Sequence, residues 1–272
     1  MKTGYHAVYV SNYYGAIIDA VKWGFDFVQI DLGVPELFLD EMNDKELTLL
    51  GEFARTSGIE LTFHSPGDNT SLYADYPLIR EGTLAQFELL LKKANILGAR
   101  HMTFHTGVYP QFKMSADADC EEESGFDIAH AAHYEQVLYE NLRRLIRTSG
   151  NVLVCLENCH LDEVGMSAAK RLINEGEKLY LTLDIAKAYR KSQLDAHLLE
   201  FYTEYKSTIR EIHVHDINAA IGRSHQTVGS GFVDFAAFEH FCGCDTYINF
   251  EVRPVESAAI SRDNLHRIWQ WK

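Results

Sequence analysis

An alternation running the length of the chain constrains the fold more than any other feature. Short apolar, β-branched runs end near HAVYV, FDFVQIDL, IELTFH, ARHMTFH, NVLVCLE, KLYLTLD, REIHVHD and TYINFE. Amphipathic helical patterns such as YPLIREGTLAQFELLLKKANILG and AAHYEQVLYENLRRLIRTSG lie between them. Eight such strand–helix units in 272 residues predict an α/β fold, a single (β/α)8 TIM barrel over residues 1–272. Barrels of this kind routinely reach that length as one unit. Hydrophobic residues make up 46% of the chain, enough to fill a large core. Two connections are long, Thr106 to about Ala129 and Ile217 to about Val233. In a barrel both lie at the C-terminal face, where active sites are built. The first carries DADCEEESGFD, a lid candidate whose acidic run also reads as solvated surface.

The two-residue period of a strand sorts side chains by face. Leu61 and Phe63 oppose Thr62 and His64; Met102 and Phe104 oppose Thr103 and His105. Leu156 opposes Glu157, and Leu183 opposes Asp184. Val214 opposes His213 and His215, and Phe250 opposes Glu251. The apolar face suits outer helices, and the other face ends in His64, His105, Glu157, Asp184, His213 and Glu251. Burying that many ionisable groups in one barrel mouth is prohibitive unless they pair or bind a cation. The pattern therefore predicts a divalent-metal site at the C-terminal ends of the strands. Glu157, Asp184, His213 and Glu251 offer three carboxylates and one imidazole, a set suited to Mn, Mg, Co or Zn ions. His64 and His105, with Glu157 bridging, can complete a second site in which nitrogen ligands favour zinc, so one or two ions are expected.

Charge and cysteine content narrow the partners. The formal net charge is −14, and an acidic surface repels a phosphate backbone, so a small molecule is expected rather than nucleic acid. No stretch approaches the ~20 apolar residues of a membrane span. The segment MKTGYHAVYVSN has no apolar signal core, and the five scattered cysteines read as reduced thiols. These features suggest a cytoplasmic protein, open to homo-oligomer formation. The Cys242/Cys244 pair lacks a second pair of metal-site spacing.

These residues carry a resemblance. FHSPGDNTSL around His64, FHTG at His105, LEN at Glu157, LTLDIAKAY at Asp184, HVHD at His213, VGSGFVDF from Val228 and FEVR at Glu251 resemble the xylose-isomerase-like barrel superfamily. That superfamily includes sugar and sugar-phosphate isomerases and epimerases, inosose dehydratases and the repair enzyme endonuclease IV. The epimerase branch implies one divalent ion on Glu157, Asp184, His213 and Glu251, with Glu157 and Glu251 also acting as catalytic acid and base. The endonuclease branch implies zinc on His64, His105 and Glu157, a second zinc on Glu157, Asp184, His213 and Glu251, and a third zinc elsewhere. Of the positions expected for that third ion, Lys187 and Arg223 are cations and only His225 matches. A fixed positive charge repels a divalent ion, which disfavours the endonuclease reading.

The expected function is thus a metal-dependent isomerase or epimerase. It would act on a small sugar, polyol or sugar phosphate by proton transfer through an enediolate stabilised by the metal. The alternative is an endonuclease IV-like zinc-dependent phosphodiester hydrolase. Lys187 and Arg223 are expected to receive an anionic group of the substrate, and Arg253 and His225 to contact it. His215, two residues beyond His213 on the same face, is assigned to substrate contact rather than to the metal. Asp216 is expected to orient His213 or a neighbouring cation.

Overall fold

The computed structural model describes residues 1–67, 70–109, 125–190, 193–218 and 220–271. Eight parallel strands close into a barrel. They are β1 (Lys2–Ala7), β2 (Phe27–Asp31), β3 (Glu60–His64), β4 (His101–Phe104), β5 (Leu153–Glu157), β6 (Leu179–Asp184), β7 (Ile209–Val214) and β8 (Tyr247–Phe250). Each pairs with its neighbours in sequence, and β1 closes the ring on β8 from Lys2↔Tyr247 to Tyr5↔Phe250. The helices are α1 (Tyr13–Trp23), α2 (Asp44–Thr56), α3 (Pro77–Leu97), α4 (Gly125–Thr148), α5 (Glu163–Asn174), α6 (Ala196–Glu204) and α7 (Val255–Ile268). None is long and apolar enough to cross a membrane, among the described residues.

Local chemistry accounts for the helix ends. Asn43 and Glu46 form a reciprocal capping box at the start of α2, and Asn12, Asp162 and Asp195 cap α1, α5 and α6. The unit after β7 departs from the expected pattern. Its helix is a 3-10 segment, Phe235–Phe241, with the Asp234 carboxylate accepting from the Ala236 N–H at 3.2 Å. Phe235, Phe238 and Phe241 recur every third residue and are all buried, which suits a helix of three residues per turn. The expected loop before it holds a small antiparallel hairpin, Asp216–Asn218 with Arg223–Gln226.

The outward strand residues Ile30, Phe63, Phe104, Leu156, Leu183, Val214 and Phe250 are fully buried beneath the helices. Barrel lumens are commonly filled by branched aliphatic layers. Here the inward positions hold Gln29, Thr62, Thr103, Thr182, Glu211, His213 and Asn249, all buried. Part of this layer is hydrogen-bonded: Asn249 donates to Gln29 Oε1 (2.6 Å), while Gln29 Nε2 and Thr103 Oγ1 each donate to Glu211 Oε2 (2.8 Å). Thr62 Oγ1 and Glu211 Oε1 are buried without a partner.

Strand β1 also ends earlier than its apolar run. Pairing stops at Ala7↔Ile30, so Val8 to Val10 lie beyond the barrel and His6, not the end of HAVYV, occupies the rim. Much of the long connection after β4, including the acidic run, lies outside the described residues.

Candidate metal centre

The strand-end residues converge as two groups that share Glu157. In the first, His64 Nε2 and His105 Nε2 approach Glu157 Oε2 at 3.3 and 3.0 Å and lie 3.1 Å from each other. His64 Nδ1 donates to the Ser65 carbonyl (3.0 Å), which leaves the Nε2 lone pair facing its neighbours. Gly67 packs against the other ring: a Cβ there would lie 2.8 Å from His105 Nδ1. In the second group, ligand atoms of Glu157, Asp184 and His213 lie within 4.8 Å of one another. His213 Nδ1 stands 3.6 Å from Glu157 Oε2 and 3.1 Å from Glu251 Oε1, so Glu251 adjoins the group. Glu157, Asp184 and His213 are 0% exposed, and Glu251 is 2% exposed.

The structure supports these ligand atoms from behind. His213 Nε2 lies 3.2 Å from Glu211 Oε2, and His101 Nε2 lies 3.1 Å from the same oxygen. Asn158 clamps β6 by donating to the Asp184 carbonyl (2.9 Å) and accepting from its N–H (2.7 Å). His6 bridges Glu251 Oε1 and Asp31 Oδ2, each at 3.3 Å. Outer partners that fix a ligand's tautomer and orientation are a recurrent part of metal centres.

Burial alone would raise the carboxyl groups, but their neighbours more than offset it. The charges of Lys187, His105 and His213 hold Glu157 well below the usual carboxylate range. His213 and His6 do the same for Glu251, and His215 and Lys187 hold Asp184 down. Burial would lower His213, yet Glu251, Glu211 and Glu157 together raise it to about 10. Among the buried side-chain atoms without a hydrogen-bond partner, which include His6 Nε2 and His101 Nε2, His213 Nδ1 is the one that faces both Glu157 Oε2 and Glu251 Oε1. A nitrogen of this kind facing two ionised carboxylates, beside a third, fits a divalent cation with mixed oxygen and nitrogen donors.

The remaining expected residues divide. His215 Nδ1 accepts from the His225 N–H (3.1 Å), so its Nε2 carries the proton and donates to Asp184 Oδ2 at 3.3 Å. The rings of His215 and His225 stack at 4.3 Å, and the two group with Glu251 as a third His/Glu cluster. Lys187 turns inward: its Nζ lies 2.8 Å from Glu157 Oε1 and 3.4 Å from Asp184 Oδ2. That pairing places its ammonium on the ligand carboxylates. Arg223 is exposed on the hairpin and lines a different chamber from Lys187, so the two cations are not brought to one anion site. Arg253 Nη2 reaches His6 Nδ1 at 3.1 Å. Asp216 does not orient His213; its carboxylate accepts four backbone N–H groups, from Ile217, Gly229, Gly231 and Val233. A Cβ at Gly231 would collide with that carboxylate and with the Ile217 carbonyl, which explains the glycine after Ser230.

The sequence reading did not single out His6, Asp31, His101, Glu211 or Asn158 for the site. Two of them carried a usable signal: Glu211 shares a face with His213, and Asp31 ends β2 as Glu157 ends β5. Cys242 and Cys244 join no metal-binding group among the described residues.

Residues 17–264 match the family described as the xylose isomerase-like TIM barrel. The chain belongs to that family. No curated protein matches it. Among solved structures, the barrel is similar to D-psicose 3-epimerase from Clostridium cellulolyticum H10, with a TM-score of 0.74 and 16% identity over 99% of each chain. It is similar to 3-keto-D-glucoside 4-epimerase from E. coli, with a TM-score of 0.70 and 16% identity over 98% of this chain and 99% of that one. A third is a Thermus thermophilus protein soaked with zinc chloride, with a TM-score of 0.67 and 22% identity over 98% of each chain. At these identities, the likeness is one of fold. What sets this xylose isomerase-like barrel to work is the chemistry at its mouth.

Proposed function

We propose that the protein is a divalent-metal-dependent isomerase or epimerase of small sugars or sugar phosphates. The observation that carries this reading is the buried, unpartnered His213 Nδ1 between Glu157 Oε2 and Glu251 Oε1. Glu157, Asp184, His213 and Glu251 would hold the ion, and His64 and His105 would hold a second with Glu157. The ion, when bound, supplies Lewis-acid polarisation of a substrate carbonyl.

The chain's own residues do the rest. Glu157 and Glu251 reach the centre from different strand ends, so one can take the proton from a carbon beside the carbonyl and the other can return it. Both are held ionised by their cationic neighbours, and either can act first as base. Lys187 donates to Glu157 Oε1 and leaves Oε2 directed at the histidines. Glu211 lies against the His213 ring, and His6 lies between Glu251 and Asp31. Epimer formation at one carbon, or migration of the carbonyl, depends on where the proton returns. The D-psicose 3-epimerase and 3-keto-D-glucoside 4-epimerase folds accord with this reading.

The test is solvent deuterium incorporation into a panel of ketoses, polyols and their phosphates, before and after chelation. Exchange that disappears with the chelator and returns with Mn, Co or Zn supports the reading. No exchange with any member of the panel sinks it. The phosphodiesterase alternative has less in its favour, because cations, Lys187 and Arg223, stand where a third zinc would need ligands, and the chain carries a charge of −14. Nicking of a plasmid bearing abasic sites would restore it.

A further inference from the structure

The chamber beside the metal centre is lined by His64, His105, Glu251 and Lys187 and has a volume of about 560 Å³. It does not end there. His6, Val8, His225 and Arg253 also line a second, outer chamber of about 880 Å³. Sites of roughly 300–1,000 Å³ take a whole small ligand, so each chamber alone meets that size. A lone hexose engaged at Glu157 and Glu251 leaves the outer one unfilled.

The outer chamber has the chemistry of a polyol site. Arg223 and Arg253 bring donors, Asp19 and Glu256 bring acceptors, and Gln226 brings both. None of these four charged side chains forms an ion pair among the described residues. Arg253 Nε is buried without a partner. Tyr9 is 85% exposed on the same wall, and the Arg253 guanidinium lies 5.8 Å from its ring centre. Two positive and two negative groups do not select an anion, since the carboxylates repel what the guanidiniums attract. A ring of hydroxyl groups uses donors and acceptors alike, and its C–H face stacks on an open aromatic ring.

We infer that the substrate is a glycoside or disaccharide, with the reacting sugar at the metal centre and a second sugar ring in the outer chamber against Tyr9, Gln226 and Arg223. This rests on the sugar isomerase or epimerase reading and adds the substrate's size class.

The experiment compares D-fructose, a fructose phosphate and a set of O-glucosyl fructoses differing in linkage. Binding to the full chain is read by calorimetry, and solvent tritium exchange gives kcat/KM for the metal-loaded protein. At least one glucosyl fructose is expected to bind about tenfold more tightly than fructose. That advantage should collapse toward unity in Tyr9→Ala and Gln226→Ala, and return in Tyr9→Trp. Equal binding of fructose and every glucosyl fructose overturns the inference. So does a phosphate ester that outbinds them all, which would make the chamber an anion site. Absence of exchange with every sugar, whatever binds, counts against the isomerase or epimerase reading instead.

Discussion

The two groups that meet at Glu157 are built differently. The Asp184–His213 side, with Glu251 beside it, is sealed: its ligand side chains are buried, and behind them stand Glu211, His101, Asn158 and His6. The His64–His105 side is more open. The His105 side chain is 18% exposed, and its support is one carbonyl behind His64 and the close backbone of Gly67. A sealed centre with fixed ligands is preorganised, whereas an open one can exchange its ion and adjust. The difference suggests that the sealed side runs the chemistry and the open side tunes it.

Substitutions can break this contrast in order of effect. Glu157→Gln touches both groups and removes a proposed base; proton exchange at the substrate carbon should fall about 10²–10⁴-fold. Undiminished exchange in an otherwise folded protein would take Glu157 out of that role. Glu211→Gln leaves every proposed ligand in place but weakens the hold on His213. Divalent-ion affinity by competition with a chromogenic chelator should drop about 10–100-fold. If the affinity stays at the wild-type value, the floor beneath His213 has no bearing on the ion. His105→Ala should cost one equivalent of metal by elemental analysis while lowering exchange by less than about tenfold, the span of a modest barrier change. Loss of both equivalents would mean that the two sides are one unit.

A separate test is a pH dependence. His213 is raised from 6.5 to about 10 in the folded chain, so the chelated protein holds a proton there that the unfolded chain releases. The resulting stabilisation is complete below the ordinary histidine range and disappears as pH climbs towards 10. Melting of chelated protein should therefore shift downward between pH 7 and 10, while metal-loaded protein, whose His213 must be deprotonated to bind, should not follow it. Parallel profiles for the two forms would refute the assignment of His213 as a ligand.

Much of this architecture was legible because strand side chains alternate strictly. His64, His105, Glu157, Asp184, His213 and Glu251 come out at the barrel mouth since each falls on the inward parity of its strand. Parity says nothing of depth. Glu211 has the parity of His213 but sits one layer lower, where it supports rather than lines the centre. His6 was obscured for another reason: the apolar run continues past the last ladder pair, and only inter-strand registry shows where β1 stops. Long flexible side chains were the least legible. Whether Lys187 faces a ligand or solvent is decided by the Glu157 and Asp184 carboxylates, which are 30 residues away and three residues away in sequence. The 3-10 segment was encoded plainly in the Phe235–Phe238–Phe241 spacing, yet that spacing also fits one face of a short α-helix.

Asp216 has a practical consequence. By accepting the backbone N–H groups of Ile217, Gly229, Gly231 and Val233, it fastens both feet of the hairpin that carries Arg223 and His225. The exposed tip, Ala220 to Gly222, lies outside that fastening. The hairpin is therefore a cartridge. Its tip can be lengthened, shortened or transplanted with little disturbance to the anchoring feet, which makes it the natural place to retune what the barrel accepts.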